Sequence, residues 1–299
     1  MKEEAIKNIL IPVDFSEYSL YACELGFNYA TDIGAQIDIL HAFYTFQIPI
    51  SPIPLDFGEH SPIINEEDFV QIQKKEQEEL EKFDGLIKEK ISTGQWPDVP
   101  YRCFLKNGLP EEEIVNYSNK TKPEMVIMGT RGKSRKDADL IGSVTAEVIE
   151  KVKVPLFAIP ENTPLRNLSQ VKRVAFGTSF EEKDLVAFDN LFRLLKAYPI
   201  EYYLFHITKQ SNVWNEIKLA GIKDYFQQQY PDIPIYYRII NSEDLESNIE
   251  KFVRDEAIDI ISLATYKRNF FTRFFSPGIA RKMLFHTDTP LLALYSLPS

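Results

Sequence analysis

Glycine and hydroxyl residues in the first half of the chain have a spacing that could hold an anionic ligand. Gly129 and Gly132 are followed, after nine residues, by Gly142 and Ser143. Gly129 ends an apolar run typical of a buried strand, and Ser143 opens a segment with helical periodicity. Glycine lets a ligand approach the backbone closely, and the first N–H groups of a helix bind phosphate oxygens. The spacing therefore indicates phosphate binding between a strand and a helix.

The same loop contains a sequence that looks like the end of a P-loop. Gly132 is followed by Lys133 and Ser134, but that motif requires a glycine five residues earlier, where this chain has Ile127. The loop also follows a late strand of its unit. We therefore exclude a P-loop nucleoside triphosphatase.

Composition excludes other classes of function. The 299 residues carry a formal net charge of -10, which argues against general binding to nucleic acids. The apolar runs have the length of strands, so no membrane insertion is expected. No signal peptide is recognisable before the first strand. Cys23 and Cys103 lie in apolar runs, which indicates reduced thiols in a cytoplasmic protein.

The chain repeats itself once with a gap. Four pairs of runs align at offsets of 165 and then 135 residues: 8–16 with 173–181, 39–42 with 204–207, 125–130 with 260–265, and 154–158 with 289–293. The first copy therefore carries 30 additional residues between His41 and Gly129.

Each copy alternates strand-like and helix-like segments, which predicts parallel strands covered by helices on both faces. The predicted strands are 7–13, 36–43, 99–105, 124–129, 154–159, 172–177, 201–207, 234–240, 258–263 and 290–294. The predicted helices are 17–32, 66–92, 110–120, one beginning at Ser143, 181–197, 212–229, 244–256 and 279–286. The predicted fold class is α/β, with two tandem doubly wound domains, each with a five-stranded parallel sheet. The predicted domains are 1–160 and 171–299, joined by a polar linker at 161–170.

In these features the chain resembles the universal stress protein family, in its tandem two-domain form, over nearly its whole length. The ATP-binding members of that family carry the motif G-x2-G-x9-G-(S/T), which Gly129, Gly132, Gly142 and Ser143 match. Asp14 after the first strand, His41 and Ala42 after the second, and Val154-Pro155 before the last strand add to the resemblance.

The resemblance implies an adenine nucleotide alpha hydrolase-like fold and an ATP site in the first domain, with or without Mg²⁺. Asp14 would bind the ribose or the adenine. The other implied contacts are Pro12, Val13 and Ala42 around the base and Gly129, Gly132, Gly142, Ser143 and Val144 around the phosphates. Arg131 begins a group of loop cations that either screen phosphate charge or belong to a solvated loop. The family also pairs its last strands, which would join 154–159 to 290–294 as an internal pseudo-dimer. A further homodimer remains open.

The second copy departs from this pattern at every ligand position. The replacements are Ser179 for Asp14, Ala264 for Gly129, Lys267 for Gly132, Pro277 for Gly142 and Gly278 for Ser143. Proline lacks an N–H, and a side chain at 264 would crowd a phosphate. We therefore expect one nucleotide per chain.

The leading hypothesis is a cytoplasmic stress-response regulator that binds ATP in its first domain and acts on a protein partner. The alternative is a binding module or scaffold for another ligand, such as AMP, a hydrophobic molecule or a protein. No catalytic set and no metal site stand out, so ATP hydrolysis is not indicated. His41 and His206, at equivalent strand ends, are interpreted as structural. The helix at 66–92 is interpreted as a solvated, ion-paired helix, or as a cover for the first cleft. The basic, aromatic stretch 267–275 either fills the second cleft or contacts a partner.

Overall fold

The computed structural model describes residues 7–45, 66–130, 143–160, 163–208, 213–241, 245–265 and 289–295. Within these ranges the chain forms one continuous sheet of ten strands, flanked by helices. The predicted helix at 279–286, most of the glycine-rich loop (131–142) and the aromatic stretch at 267–275 lie outside the described residues.

The elements of the first half follow the predicted alternation of strands and helices. Its strands are β1 (Asn8–Val13), β2 (Gln36–Phe43), β3 (Tyr101–Asn107), β4 (Met125–Gly129) and β5 (Leu156–Ile159). Its helices are α1 (Glu17–Ile33), α2 (Glu66–Ser92), α3 (Pro110–Thr121) and α4 (Ser143–Lys151). Strand β3 begins two residues later than predicted. Pro97 and Pro100 lack the N–H that a strand ladder needs, so the regular strand starts after the second of them.

The second half repeats the order after a short 3-10 helix at Leu168–Gln170. Its strands are β6 (Arg173–Gly177), β7 (Glu201–Thr208), β8 (Ile235–Asn241), β9 (Ile260–Thr265) and β10 (Leu291–Tyr295). Its described helices are α5 (Glu182–Leu195), α6 (Val213–Gln229) and α7 (Leu245–Asp255).

The sheet has the strand order β3-β2-β1-β4-β5-β10-β9-β6-β7-β8. Strands within each half are parallel, and β5 pairs with β10 in the antiparallel direction. The register at this seam places Leu291 beside Ala158 and Ala293 beside Leu156. The prediction that the last strands join the two halves is therefore confirmed. Each half is a five-stranded, doubly wound parallel unit.

The repeat extends to backbone conformations that side chains rarely adopt. Phe15 and Phe180, 165 residues apart, have φ angles of 62° and 61°. Lys122 and Ala257, 135 residues apart, have φ angles of 47° and 49°. Both pairs lie in the left-handed region, which costs an L-residue about 1 kcal/mol. Equivalent turns of the two halves are thus built in the same way.

Two apolar cores cover the two faces of the sheet. Successive residues of each strand alternate between these cores, because side chains of a strand point to opposite faces. Ile9 and Ile11 of β1 belong to the core under α1 and α5, whereas Leu10 belongs to the core under α3, α4 and α7. Across the seam, the Tyr29 hydroxyl donates to the Leu194 carbonyl at 3.2 Å, which ties α1 to α5.

A buried carboxylate lies at the amino-terminal edge of the first half. Asp38 is 0% exposed and accepts hydrogen bonds from Arg102, Tyr117 and Asn8. Burial acts to raise the pKa of Asp38, but the three donors together outweigh it and hold the pKa below its ordinary value. This acid therefore links β1, β2, β3 and α3.

Replacing Arg102 with Met should lower the free energy of unfolding by about 2 kcal/mol at pH 7, because a buried carboxylate loses its charged partner. The folded-state pKa of Asp38 lies below the unfolded value, so its stabilising contribution is lost as the pH falls through the folded pKa. The difference in unfolding free energy between the wild-type protein and Arg102→Met should therefore become smaller below about pH 4. Urea unfolding of both proteins at pH 7 and at acidic pH measures this difference. Arg254→Met, at an exposed pair with Asp255, is the control and should change stability little.

Replacing each of two glycines of the second half with alanine should change the stability of the protein in opposite directions. A Cβ on Gly177 would lie 2.6 Å from Leu263 Cδ2 and 3.1 Å from Phe205 Cζ, so Gly177→Ala should destabilise by about 1–3 kcal/mol. A Cβ on Gly221 of α6 meets nothing within 4 Å, so Gly221→Ala should stabilise by about 0.5–1 kcal/mol. Thermal or urea unfolding of the two variants tests this difference in packing around the two glycines. A change of stability in the same direction in both variants would contradict it.

Candidate functional site

Strands β1 and β4 meet where the connections of the first half change direction. The chain leaves β1 toward β2 on one side and leaves β4 toward β5 on the other. Ligands of open α/β sheets bind at the carboxyl ends of strands at such a switch point. Asp14 directly follows β1, and Gly129 is the last residue of β4. The structure therefore places these two predicted residues at one location.

Pro12 ends the hydrogen bonding between these two strands. Gln36 N–H donates to the Lys7 carbonyl and Glu124 N–H to the Asn8 carbonyl, so even-numbered residues of β1 direct their backbone groups toward β4. Pro12 belongs to that set but has no N–H to donate.

The residue pairing between β1 and β4 agrees with the missing N–H of Pro12. Within β1 and β4, both described throughout, pairing joins Ile9 to Met125 and Leu10 to Val126 and goes no further. On its other side, β1 stays paired with β2 through Val13. The ladder between β1 and β4 thus stops before the carboxyl ends of these strands, whereas the ladder between β1 and β2 continues.

The carboxylate of Asp14 is held by the turn that follows it. Asp14 Oδ1 accepts from Ser16 Oγ at 2.6 Å, from Ser19 Oγ at 2.8 Å and from Ser16 N–H at 3.2 Å. The Asp14 N–H donates to Ser19 Oγ at 3.0 Å. Ser16 is also the N-cap of α1, so helix start and carboxylate are fixed together.

Helix α4 begins beside the end of β4. The Thr145 hydroxyl donates to the Gly129 carbonyl at 3.0 Å, which fixes the first turn of α4 against that strand. The first N–H groups of a helix have no partner within the helix and carry a partial positive charge. The amino terminus at Ser143 therefore lies where an anion bound near Gly129 would be stabilised.

Apolar side chains line one face of this region. Alternation along the strand puts Pro12 of β1 on the same face as Leu10, which belongs to the core under α3 and α4. Ala42 of β2 and Val144 of α4 pack against that same core and are half-buried. These three predicted residues thus lie on one face of the sheet, near the strand ends that precede Asp14 and include Gly129.

His41 lies on the opposite face and supports the turn. Its Nδ1 is 2.7 Å from the Val13 carbonyl, and its ring centroid is 4.1 Å from that of Phe15. Because a carbonyl only accepts, Nδ1 carries the hydrogen and donates. The second half keeps this arrangement at His206, Phe180 and the Thr178 carbonyl, at 4.2 Å and 2.8 Å. The interpretation of both histidines as structural is consistent with these contacts.

In the second half the strand ladder continues to the switch point. Gly177 stands where the first half has Pro12, and it retains an N–H. Strand β6 pairs with β9 from Val174–Ile260 to Gly177–Leu263, two pairs further than in the first half. The side chains of Leu263 and Phe205, 4% and 2% exposed, pack over Gly177.

An acid and a serine have exchanged places between the halves. Ser179 replaces Asp14, and Asp184 replaces Ser19. Asp184 is 2% exposed, and its Oδ2 accepts from the Thr178 and Ser179 hydroxyls and from the N–H groups of Ser179 and Glu181. The turn keeps its hydrogen bonds, but its carboxylate now lies inside the protein instead of at the sheet edge.

Of the predicted ligand residues, those at strand and helix ends come together at one edge. They are Pro12, Val13, Asp14, Ala42, Gly129, Ser143 and Val144. Arg131, Gly132 and Gly142 lie outside the described residues. Sequence reasoning missed Ser16, Ser19 and Thr145, which orient the site. The exchange of Asp14 and Ser19 for Ser179 and Asp184 is visible in the repeat alignment and could have revealed Ser19.

Metal binding, membrane spanning and thiol reactivity find little support in the part of the chain that the structure describes. No group of three or more histidine, cysteine, aspartate or glutamate side chains is placed to bind a metal ion there. None of the described helices is long and apolar enough to span a membrane. Cys23 and Cys103 are free thiols, and burial, followed by the nearby Asp84 carboxylate, raises the pKa of Cys103 to about 12. The Cys103 thiol is therefore a poor nucleophile.

The two exchanged acids should differ in their contribution to stability. Asp184→Ala leaves four donors without an acceptor and should lower the free energy of unfolding by about 3 kcal/mol. Asp14→Ala acts at a half-buried position and should cost about 1 kcal/mol. Urea unfolding of the two variants measures the difference. Equal losses would show that both acids are mainly structural.

Comparisons with known proteins place this chain in a family. Residues 5–160 match the model of the universal stress protein family. One universal stress protein of Methanocaldococcus jannaschii is 28% identical over 158 residues, which is 52% of this chain and 84% of that protein. A second from the same organism is 27% identical over 156 residues, covering 51% of this chain and 94% of its own length.

A solved structure extends the likeness to the fold of the whole chain. The universal stress protein from Archaeoglobus fulgidus superposes with a TM-score of 0.72 at 16% identity. The likeness covers 96% of this chain and 98% of that one. With the family model matching more than half of the residues, the chain belongs to the universal stress protein family.

Proposed function

We propose that the first domain binds ATP at the switch point between β1 and β4. The observation that carries this proposal is the missing ladder bond at Pro12, which leaves the ends of β1 and β4 unpaired beside an oriented carboxylate. The second half, with the same topology, has neither feature. The open edge therefore belongs to the half that retains the family's glycine motif.

The chemistry of the edge fits the three parts of the nucleotide. The half-buried Ala42 offers apolar surface to an adenine ring, next to the buried Pro12. The carboxylate of Asp14 accepts hydrogen bonds, as binding of a ribose hydroxyl or the adenine amine requires. The amino terminus of α4 suits phosphates, and the family resemblance assigns Gly132, Gly142, Ser143 and Arg131 to the same role.

We propose further that the protein is a regulator in the cytoplasmic stress response rather than an enzyme. The chain would be divided into a nucleotide-binding domain at 1–160, a linker at 161–170 and a second domain at 171–299. Support for this division comes from the repeat of the strand order on the two sides of the seam. In the second domain the tight packing of Leu263 and Phe205 over Gly177 favours a role as scaffold or partner surface.

Isothermal titration calorimetry tests the proposal directly. The protein should bind one ATP per chain, with or without Mg²⁺. Asp14→Ala should weaken binding at least about tenfold, because a hydrogen bond to a charged group contributes about 1.5–3 kcal/mol. Ser179→Ala, at the equivalent position of the second half, is the matched control and should leave the affinity unchanged.

Two outcomes would overturn this assignment. A stoichiometry near two would contradict the single site. Unchanged affinity in Asp14→Ala would show that the nucleotide, if bound, lies elsewhere.

A further inference from the structure

Helix α2 reaches the candidate site through one carboxylate. The side chains of Leu80, Phe83 and Ile87 form a buried stripe on α2, and Glu76 continues this stripe one turn earlier. Its Oε2 lies 3.3 Å from His41 Nε2. The side chains of His41 and Glu76 are 9% and 25% exposed.

The imidazole of His41 has one oxygen contact at each ring nitrogen. Nδ1 faces the Val13 carbonyl at 2.7 Å and Nε2 faces the Glu76 carboxylate at 3.3 Å. The ring therefore lies between the backbone of the turn and the side chain of α2, and its orientation depends on both oxygens.

Helix α2 also contacts the turn that carries Asp14. The ring of Phe15 lies between His41, at 4.1 Å, and Phe83 of α2, at 5.6 Å. Phe15 has a φ of 62°, a conformation that persists only where the surroundings hold it. The residues on either side of Phe15 are Asp14 and Ser16, whose side chains are hydrogen-bonded to each other. Movement of the histidine ring would therefore be transmitted to the carboxylate.

The second half provides an internal comparison. His206 and Phe180 repeat the ring contact and the carbonyl contact. Burial, followed by the charge of Lys218 on α6, lowers the pKa of His206, although the backbone contact and Asp184 act in the opposite direction. The charge of Lys218 on α6 thus acts on His206, whereas α2 places the Glu76 carboxylate 3.3 Å from His41. The contacts between the histidine and the turn are common to both halves.

We propose that Glu76 is a positioning residue for the nucleotide site: through His41 and the Val13 carbonyl it fixes the turn that presents Asp14. This inference rests on the proposed function for its ligand, but the positioning itself concerns the protein alone. It gives a role to helix α2, which has 27 residues where its counterpart α6 has 17. Helix α2 would support the nucleotide edge from the side of the sheet opposite to Pro12 and Ala42.

The first experiment measures the turn without any ligand. Amide hydrogen exchange is followed by mass spectrometry in peptides covering 13–19 and, as the internal control, 178–184. Glu76→Leu should accelerate exchange in the first peptide several-fold and leave the second unchanged. Glu76→Gln, which keeps an acceptor at the same place, should restore most of the protection. Glu78→Leu, two residues away at an exposed pair with Lys74, should have no effect.

The second experiment measures ATP affinity by calorimetry in the same proteins. Glu76→Leu should weaken binding about tenfold, and Glu76→Gln about twofold or less. His41→Asn retains a donor near the position of Nδ1 but does not extend to Glu76, so it should weaken binding as Glu76→Leu does. The double variant should lose no more than either single variant, because the two residues act in series.

The results separate the two proposals. Unchanged exchange at 13–19 in Glu76→Leu, or additive losses in the double variant, would overturn the positioning role. Equal acceleration in both peptides would show a general loss of stability and would also overturn it. If the wild-type protein binds no ATP while exchange at 13–19 responds as expected, the proposed function fails and the positioning of the turn stands.

Discussion

The antiparallel pairing of β5 with β10 is the contact on which the rest of the structure depends. Strand β5 is buried along its whole length and carries no charged side chain, so without a partner it would expose an apolar sheet edge. Pairing at Leu156–Ala293 and Ala158–Leu291 completes its ladder and makes ten strands into one sheet. Because the pairing is antiparallel, the carboxyl edges of the two halves face in opposite directions. The two edges could therefore diverge in sequence without affecting each other.

The strand ends of the two halves differ in a few backbone N–H donors and in the position of one carboxylate. Both halves keep the left-handed turn at Phe15 and Phe180 and the histidine that holds it. In the first half a proline removes one N–H at the switch point and an aspartate stands at the sheet edge. In the second half glycine supplies that N–H, the ladder continues, and the acid moves inward to Asp184. Among the described residues, one topology thus carries a half-buried carboxylate at the first strand end and a buried one in the second half.

Much of this could be predicted from the sequence. Period-two and period-3.6 patterns located the strands and helices of the described residues within one or two residues, since burial of one face dictates those patterns. The repeat predicted two units, and the family resemblance predicted the pairing of the last strands. The site was predicted less completely. Asp14 and Gly129 were recognised from sequence motifs. Ser19, Thr145 and Glu76 were not, because their roles depend on contacts with residues 5, 16 and 35 positions away in the chain. Such contacts leave no local pattern.

By itself the sequence determined the fold class, the two units, the loss of the glycine motif in the second unit and the position of Asp14. These follow from local residue order, because hydrophobic periodicity and glycine spacing are properties of neighbouring residues. Only the tertiary structure decided that the backbone of Pro12 faces β4, that Asp184 is buried, and that α2 brings a carboxylate to His41. Each of these depends on which strand or helix becomes the neighbour, and that is set by packing of the whole chain rather than by any single segment.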